Sequence, residues 1–170
     1  RAALNRLPQI DYEAVLSEKL ADLRALYARV EDRVRRDADG IAFFERHADW
    51  LRPYAAFCRL RDRHGTADFH RWGGESRYAE ETVSGWFDPA APEYREVMFH
   101  GWLQYHLDRQ LSAALAEGHQ WGVAFKGDLP IGIDRSSVEA WVEPELFRMD
   151  RQTGAPPDAF AVLGQNWGFP

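Results

Sequence analysis

An aspartate at the start of a rigid loop is the first residue that could do chemistry. Asp128 stands in Lys126-Gly-Asp-Leu-Pro-Ile-Gly-Ile-Asp134, shortly after the apolar run Val123-Ala-Phe125. Because that run follows a long helical pattern, it predicts a buried strand at residues 122–127. Ligands of parallel α/β folds bind at the carboxyl ends of strands, so Asp128 is a candidate binding residue. An aspartate that only caps the strand exit is the alternative, and the spacing leaves it open.

A second polar group lies near the end of the chain, in Gly154-Ala-Pro-Pro-Asp158 and Gly164-Gln-Asn-Trp-Gly-Phe-Pro170. Two adjacent prolines stiffen this loop, and glycines punctuate it. A sugar ring has one apolar face and a rim of hydroxyls, which an indole and nearby carboxylates and amides can bind. The candidate sugar-binding residues are therefore Asp158, Gln165 and Trp167. The alternative is a surface loop in which Phe160 and Trp167 only anchor the loop to the core.

These two motifs carry a resemblance to a known family. The segment Gly127-Asp-Leu-Pro-Ile-Gly-Ile-Asp-Arg-Ser-Ser-Val-Glu-Ala-Trp-Val-Glu-Pro-Glu-Leu-Phe147 and the two motifs that follow it resemble the 4-alpha-glucanotransferases of glycoside hydrolase family 77, the amylomaltases or disproportionating enzymes. The resemblance implies an α/β fold, part of a (β/α)8 TIM barrel. The chain itself is then mostly α-helical, with residues 1–120 forming a helical part and inserted helical subdomain. Residues 121–170 would hold a barrel strand and a substrate-binding loop.

The resemblance also implies an activity. Enzymes of this family transfer alpha-1,4-glucan segments between maltooligosaccharides by a retaining mechanism, which needs a nucleophile and an acid/base about 5 Å apart. The family places its nucleophile in an Arg-Ile-Asp motif after the Gln-Asn-Trp-Gly stretch, and its acid/base glutamate later still. Neither motif follows Trp167 before the last residue, Pro170. We therefore assign no catalytic residue and expect an internal fragment, inactive alone, whose partner is the rest of the parent enzyme.

The resemblance assigns substrate binding to four residues. Asp128 matches an aspartate near the transferred glucose, while Asp158, Gln165 and Trp167 match a loop that overhangs the cleft. Many members carry a tyrosine where this chain has Ala159, so any stacking by that ring is absent here or supplied elsewhere. The implied ligands are alpha-1,4-glucans and maltooligosaccharides, and the family needs neither a metal nor an organic cofactor.

Composition excludes other classes of function. A net charge of −6 argues against nucleic-acid binding. No apolar run is long enough to predict a membrane span, and a single cysteine, Cys58, fits a cytoplasmic location. A non-catalytic helical module that binds glucan or protein is the alternative function, because the helical pattern dominates.

Periodic apolar stripes predict the helices that position these motifs. We predict long helices at residues 12–35, after an Asp11 cap, and 93–117, with shorter helices at 41–48 and 50–64. A further short helix should begin at Ser136, with Glu139 completing a capping box. The second long helix also has a polar stripe. We interpret it as facing solvent, with the lining of a cavity as the alternative: His100, Gln104, Asp108 and Ser112.

Overall fold

The computed structural model describes residues 3–170, so the first two residues of the predicted helical part lie outside it. The chain forms two compact units, Arg1–His47 and Ala48–Pro170. Within the described residues the α-helices are α1 Tyr12–Val34, α2 Ala38–Arg46, α3 Ala48–His64, α4 Glu80–Gly85, α5 Tyr94–Gln120 and α6 Val138–Val142. The 3-10 helices are Leu4–Arg6, Phe69–Arg71, Gly73–Glu75 and Pro144–Leu146, and the strands are β1 Gly154–Ala155 and β2 Gln165–Asn166. The prediction of a mostly α-helical chain is therefore confirmed.

The first unit is built around α1. Asp11 caps this helix as predicted, since its Oδ1 accepts the backbone N–H of Ala14 at 2.9 Å. The apolar stripe becomes more buried along the helix: Leu16 is 57% exposed, whereas Tyr27 is 3% exposed. In α2, Phe43 is buried and its ring lies edge-on to that of Phe44 at 6.4 Å.

The second unit has its core between α3 and α5, which pack along each other. Leu51 and Leu60 of α3 are essentially inaccessible to solvent, as are Val97 and Phe99 of α5. Beside these helices lies an aromatic cluster to which the loop after α3 and helix α6 contribute. Its members are Phe57, Phe69, Trp72 and Trp141.

Helix α5 is buried in its first half and exposed in its second. Tyr105 is 5% exposed, whereas Leu111 is 62% exposed. The interpretation of its polar stripe as solvent-facing is wrong for two residues. His100 is 3% exposed with Nε2 3.2 Å from Oδ2 of Asp62, and Gln104 donates from Nε2 to the hydroxyl of Tyr54 at 3.0 Å. Asp108 and Ser112 are exposed, in agreement with the prediction.

The predicted strand at residues 122–127 is wrong. Helix α5 continues past Gly118 to Gln120 and ends in a Schellman motif, with Gly122 at φ 71°. The N–H of Val123 donates to the carbonyl of Gly118 at 3.0 Å, and the chain then runs on without regular structure. A central strand needs neighbouring strands for its N–H and C=O groups, and residues 3–170 hold only the two-residue pair β1–β2. Without such neighbours, Phe125 remains 53% exposed.

The starts of two helices differ from the prediction, whereas the predicted end of α3 at residue 64 is confirmed. Ser137, not Ser136, caps α6 by accepting the N–H of Ala140 at 3.4 Å, while Asp134 accepts the N–H of Ser136 at 2.7 Å. Helix α3 begins at Ala48 rather than at residue 50, so Pro53 lies inside the helix. Gly65 ends α3 at φ 66°, where glycine is the residue with least strain.

Candidate functional site

The candidate site is built on a β-hairpin at the end of the chain, residues 149–169, which we call the tail hairpin. Its two strands pair antiparallel, with Gly154 opposite Asn166. The pairing continues beyond the strands, because the N–H of Trp167 donates to the carbonyl of Thr153 at 2.9 Å and the N–H of Thr153 to that of Phe169 at 2.8 Å. A Cβ on Gly154 would lie 2.0 Å from the backbone oxygen of Gln165, so the strands approach this closely only because residue 154 is glycine.

Asp158 shapes the tip of the tail hairpin. Its Oδ1 accepts two backbone N–H groups, from Phe160 at 2.8 Å and Ala161 at 2.6 Å. The N–H of Asp158 donates in turn to the carbonyl of Ala161 at 3.1 Å. This is an aspartate turn in which one carboxylate oxygen holds the loop. Across residues 3–170, no hydrogen bond is made by the other oxygen, Oδ2.

Phe160 does not anchor the hairpin to the core. Its side chain is 98% exposed, and its neighbours at the tip, Val162 and Leu163, are 78% and 96% exposed. The anchor interpretation is therefore wrong for Phe160. The tip presents an apolar surface next to the Asp158 turn, and the loop keeps its shape by its own backbone hydrogen bonds.

Trp167 and Gln165 form a coupled pair on the second strand of the hairpin. The indole Nε1 of Trp167 donates to Oε1 of Gln165 at 2.9 Å, which links the two side chains. Trp167 is 43% exposed, and its ring lies 5.9 Å from that of Phe169. The side chain of the intervening residue bonds within the hairpin: Asn166 accepts the N–H of Gly168 at 2.9 Å and donates to Gln152. A half-exposed indole with a polar neighbour can stack on one face of a sugar while amides bind its hydroxyls.

An open pocket of about 400 Å³ separates Trp167 from the loop that follows Asp128. Gly132 permits this arrangement, because a Cβ there would come within 2.1 Å of the ring of Phe169. One wall is thus the aromatic pair and the other is backbone with the charged side chains of Asp134 and Arg135. The structure brings together two segments that are more than thirty residues apart in the sequence. The lining residues are Gly132, Ile133, Asp134, Arg135, Trp167, Gly168 and Phe169.

Comparison with known proteins identifies the family of the chain. A model of glycoside hydrolase family 77, described as 4-alpha-glucanotransferase, matches residues 1–170. The chain belongs to this family.

Similar family members come from plants and bacteria. The chain is 45% identical over 161 residues to the 4-alpha-glucanotransferase DPE2 of rice (Oryza sativa subsp. japonica), with 95% of this chain and 17% of the rice protein covered. It is 34% identical over 171 residues to the 4-alpha-glucanotransferase of Thermus thermophilus, covering 95% of this chain and 34% of that protein. The chain therefore spans about a sixth to a third of the length of these relatives.

A solved structure of the family has the same fold. The amylomaltase of Streptococcus agalactiae in complex with acarbose superposes with a TM-score of 0.79 and 25% identity, over 95% of this chain and 33% of that one. The agreement extends over nearly all of this glycoside hydrolase family 77 chain, so its fold is similar to that of the matching third of the amylomaltase chain.

The structure brings some of the predicted site residues of this family 77 chain together and leaves others apart. Gln165 and Trp167 are in contact, and Asp158 is on the same hairpin. Asp128 lies in an exposed loop and has no hydrogen bond or ion pair to any other described residue. The pocket beside Trp167 begins at Gly132, four residues after Asp128, and does not include it.

Two residues of the pocket were missed by sequence reasoning. Asp134 is the last residue of the motif that contains Asp128, and its acidic type at a loop end was the available signal. Arg135 follows it and has contacts that no spacing predicts, because its partners are backbone carbonyls far along the chain. In the described part of this family 77 chain, no three His, Cys, Asp or Glu residues group as metal ligands, and no helix is long and apolar enough to cross a bilayer.

Proposed function

We propose that the protein containing this chain is a 4-alpha-glucanotransferase that transfers alpha-1,4-glucan segments between maltooligosaccharides. The match of the family 77 model over residues 1–170 carries the proposal. The half-exposed indole of Trp167, held beside Gln165 and an open pocket, supports it, because such a surface suits the apolar face and hydroxyl rim of glucose.

The proposed reaction is a retaining transfer. A carboxylate attacks the anomeric carbon of the donor sugar, and a second carboxyl group protonates the leaving oxygen and later activates the acceptor hydroxyl. We assign neither role to a residue of this chain. Within the proposed (β/α)8 barrel, residues 1–120 are the helical part with its inserted subdomain, and residues 121–170 supply part of the substrate cleft. The proposed compartment is the cytoplasm, which the single buried thiol of Cys58 fits.

We propose substrate-binding roles for four residues. Trp167 stacks on a glucose ring, and Gln165, already hydrogen-bonded to the indole, directs its amide to a sugar hydroxyl. Asp158 offers its Oδ2, since Oδ1 is engaged by the turn. Asp128 binds the transferred glucose from the loop after α5, where its exposed carboxylate is accessible to a ligand.

The rest of the parent enzyme is the proposed protein partner of the loop after α5. Trp121 is 78% exposed, Leu129 92% and Ile131 84%, so three large apolar side chains lie within eleven residues of exposed backbone. Burial of such a surface against further barrel elements would be favourable by about 25 cal/mol per Å² of apolar area.

The test is to incubate the full-length protein with maltotriose and separate the products. We expect glucose together with longer maltodextrins from the full-length protein, and no products from residues 1–170 alone. If the full-length protein forms no products, the proposal is contradicted and a non-catalytic glucan- or protein-binding module is favoured. A product ladder from the isolated 170 residues would show that the catalytic carboxylates had been placed wrongly.

The role of Asp128 is tested by Asp128→Asn in the same protein. We expect a strong loss of turnover with little change in melting temperature, because an exposed loop residue contributes little to stability. Asp39→Asn, which changes an exposed aspartate in α2, is the matched control and should retain turnover. If Asp128→Asn leaves turnover intact, Asp128 does not bind the transferred glucose.

A further inference from the structure

Arg135 spans the base of the tail hairpin. Its Nη1 donates to the carbonyl of Met149 at 2.6 Å and its Nη2 donates to the carbonyl of Arg151, both on the incoming leg. Its Nε donates to the carbonyl of Gly168 at 3.1 Å, on the outgoing leg. One side chain thus contacts both legs of the hairpin from a separate segment of the chain.

The contacts depend on the shape of the guanidinium. Arginine carries five N–H donors in one rigid plane, so it can reach several oxygens at once, whereas lysine offers a single compact ammonium. The tail hairpin has particular need of such a contact, because its strands are only two residues long and an isolated hairpin of that size is marginal in water. The three carbonyls that Arg135 binds flank this short ladder.

Trp167 and Arg135 are linked through the backbone at Gly168. Gly168, whose carbonyl accepts from Arg135, directly follows Trp167, and both residues line the pocket. The guanidinium therefore fixes the backbone one residue away from the indole. Gly132, in the segment that carries Arg135, receives the ring of Phe169 on the other side.

We propose that Arg135 is a positioning residue that clasps the two legs of the tail hairpin and thereby sets the orientation of Trp167 for sugar binding. The part of this inference that concerns sugar rests on the proposed function. Arg135 is not itself a catalytic residue, since its three described contacts use Nε, Nη1 and Nη2 on the protein backbone.

A simple charge attraction is the competing explanation. Asp150 lies on the incoming leg, but it is paired with Arg148 at 3.2 Å and Arg151 at 3.6 Å. Asp134, beside Arg135, accepts the backbone N–H of Ser136. If charge alone held the hairpin, lysine at position 135 would serve as well as arginine. If the planar fork is required, lysine would restore only part of the effect.

The first measurement is independent of sugar. The full-length protein is labelled with 5-fluorotryptophan, and the 19F resonance of Trp167 is assigned by its loss in Trp167→Phe. We expect Arg135→Ala to shift and broaden this resonance in the absence of any ligand, and Arg135→Lys to do so to a lesser degree. Arg148→Ala is the matched control, because it removes an arginine next to the hairpin that is paired with the exposed Asp150, and it should leave the resonance unchanged.

The second measurement is transfer from a fixed donor to glucose as acceptor. We expect Arg135→Ala to raise the acceptor KM by roughly tenfold or more with a smaller change in kcat, since a displacement of about 1 Å in a positioning group can cost up to a hundredfold. Arg135→Lys should fall between Arg135→Ala and the parent. Should Arg135→Ala fail to fold, the lysine variant decides both measurements.

The outcomes separate this inference from the proposed function. An unchanged Trp167 resonance in Arg135→Ala would overturn the positioning role. A lysine variant indistinguishable from the parent would overturn the clasp by the planar guanidinium and favour charge attraction. A shifted resonance together with an unchanged acceptor KM in both Arg135→Ala and Trp167→Ala would leave the clasp in place but show that Trp167 does not bind the acceptor.

Discussion

Two tryptophans of the second unit have opposite environments. Trp141 is 3% exposed, and its indole N–H donates to the backbone carbonyl of Glu75 at 3.0 Å. Trp167 is 43% exposed, and its indole N–H donates to the side chain of Gln165 at 2.9 Å. Three aromatic rings surround Trp141 at centroid distances of 5.8, 5.8 and 5.0 Å, those of Phe57, Trp72 and Tyr78.

The two environments correspond to two roles of a tryptophan side chain. An indole enclosed by other rings and bonded to backbone stabilises the fold, because its whole apolar area is removed from water. An indole with a free face and a polar side-chain partner keeps area for a ligand. Residue type and a satisfied N–H are common to both, so exposure and the kind of hydrogen-bond partner distinguish them.

The largest expected effect comes from the enclosed tryptophan. Trp141→Ala should lower the free energy of unfolding by about 3–5 kcal/mol, since it opens a cavity among three rings and leaves the carbonyl of Glu75 without its donor. Trp141→Phe should cost less, because most of the volume remains. Denaturant unfolding followed by circular dichroism measures the free energy of unfolding of both variants. If Trp141→Ala is as stable as the parent, Trp141 does not contribute to the stability of the core.

A smaller effect should come from breaking the hairpin that carries the exposed tryptophan. In Gly154→Ala the new methyl would meet the backbone oxygen of Gln165, so the strands must separate at a cost of about 1–3 kcal/mol. Gly85→Ala is the matched control, because a Cβ at that position meets nothing within 4 Å. Melting temperature and fluorescence of Trp167 report on the two variants. If both variants match the parent, the close approach of the strands is not required.

An acid-dependent effect should arise in the helical core. Burial alone would raise the pKa of Asp62, but the contacts of His100 and Arg61 outweigh it and hold the pKa well below its usual value. Such a carboxylate stabilises the fold above its unfolded pKa of about 4, and this contribution is lost as the pH falls through that value towards the folded pKa.

Asp62→Asn should therefore flatten the dependence of stability on pH in this range. We expect melting temperatures of the parent to fall between pH 5 and pH 3 more steeply than those of the variant. Only the parent has a carboxylate at position 62, which takes up a proton in the unfolded state while it stays ionised beside His100 and Arg61 in the folded state. Parallel curves for the two proteins would assign the acid sensitivity to other groups, among which Glu75 also has a lowered pKa.

The smallest effect on stability should come from the exposed aromatic residues. Trp167→Ala and Phe160→Ala should each change the free energy of unfolding by no more than about 0.5–1 kcal/mol, because water already reaches much of both side chains. The two should differ in function, since only Trp167→Ala is expected to raise the KM for short acceptors. Loss of several kcal/mol in Trp167→Ala would make Trp167 a structural residue like Trp141.

Local signals in the sequence predicted the helices well. The start of α1 could be placed at the residue because Asp11 has the side chain that an N-cap requires, and Gly65 marked the end of α3 because few other residues adopt positive φ without strain. The prediction of a strand at residues 122–127 failed because a strand does not depend on local signals alone. A strand exists only through partners elsewhere in the chain, and the apolar run Val123-Ala-Phe125 cannot show whether they are present.

The candidate site was predictable in its residue types and not in its contacts. The end of the chain was predicted from its prolines, glycines and polar side chains as a rigid loop and not as a hairpin, but Gln165 and Trp167 do lie together. The substrate-binding roles of Asp128, Asp158, Gln165 and Trp167 stay predictions. Arg135 could not have been found, because it bonds to backbone carbonyls, which every residue possesses and no sequence pattern marks. His100 was misjudged because a polar residue on a helix is buried when a neighbouring helix supplies a partner such as Asp62.

The Schellman motif at the end of α5 has a consequence for the order of folding. Its hydrogen bonds join residues at most five positions apart, from Gly122 to His119 and from Val123 to Gly118. Contacts this local close on the timescale of helix formation, about a microsecond or less, long before strands distant in sequence can pair. The direction in which the chain leaves α5 towards Asp128 is therefore set early in folding. Elements that form later assemble around a segment whose direction is already fixed.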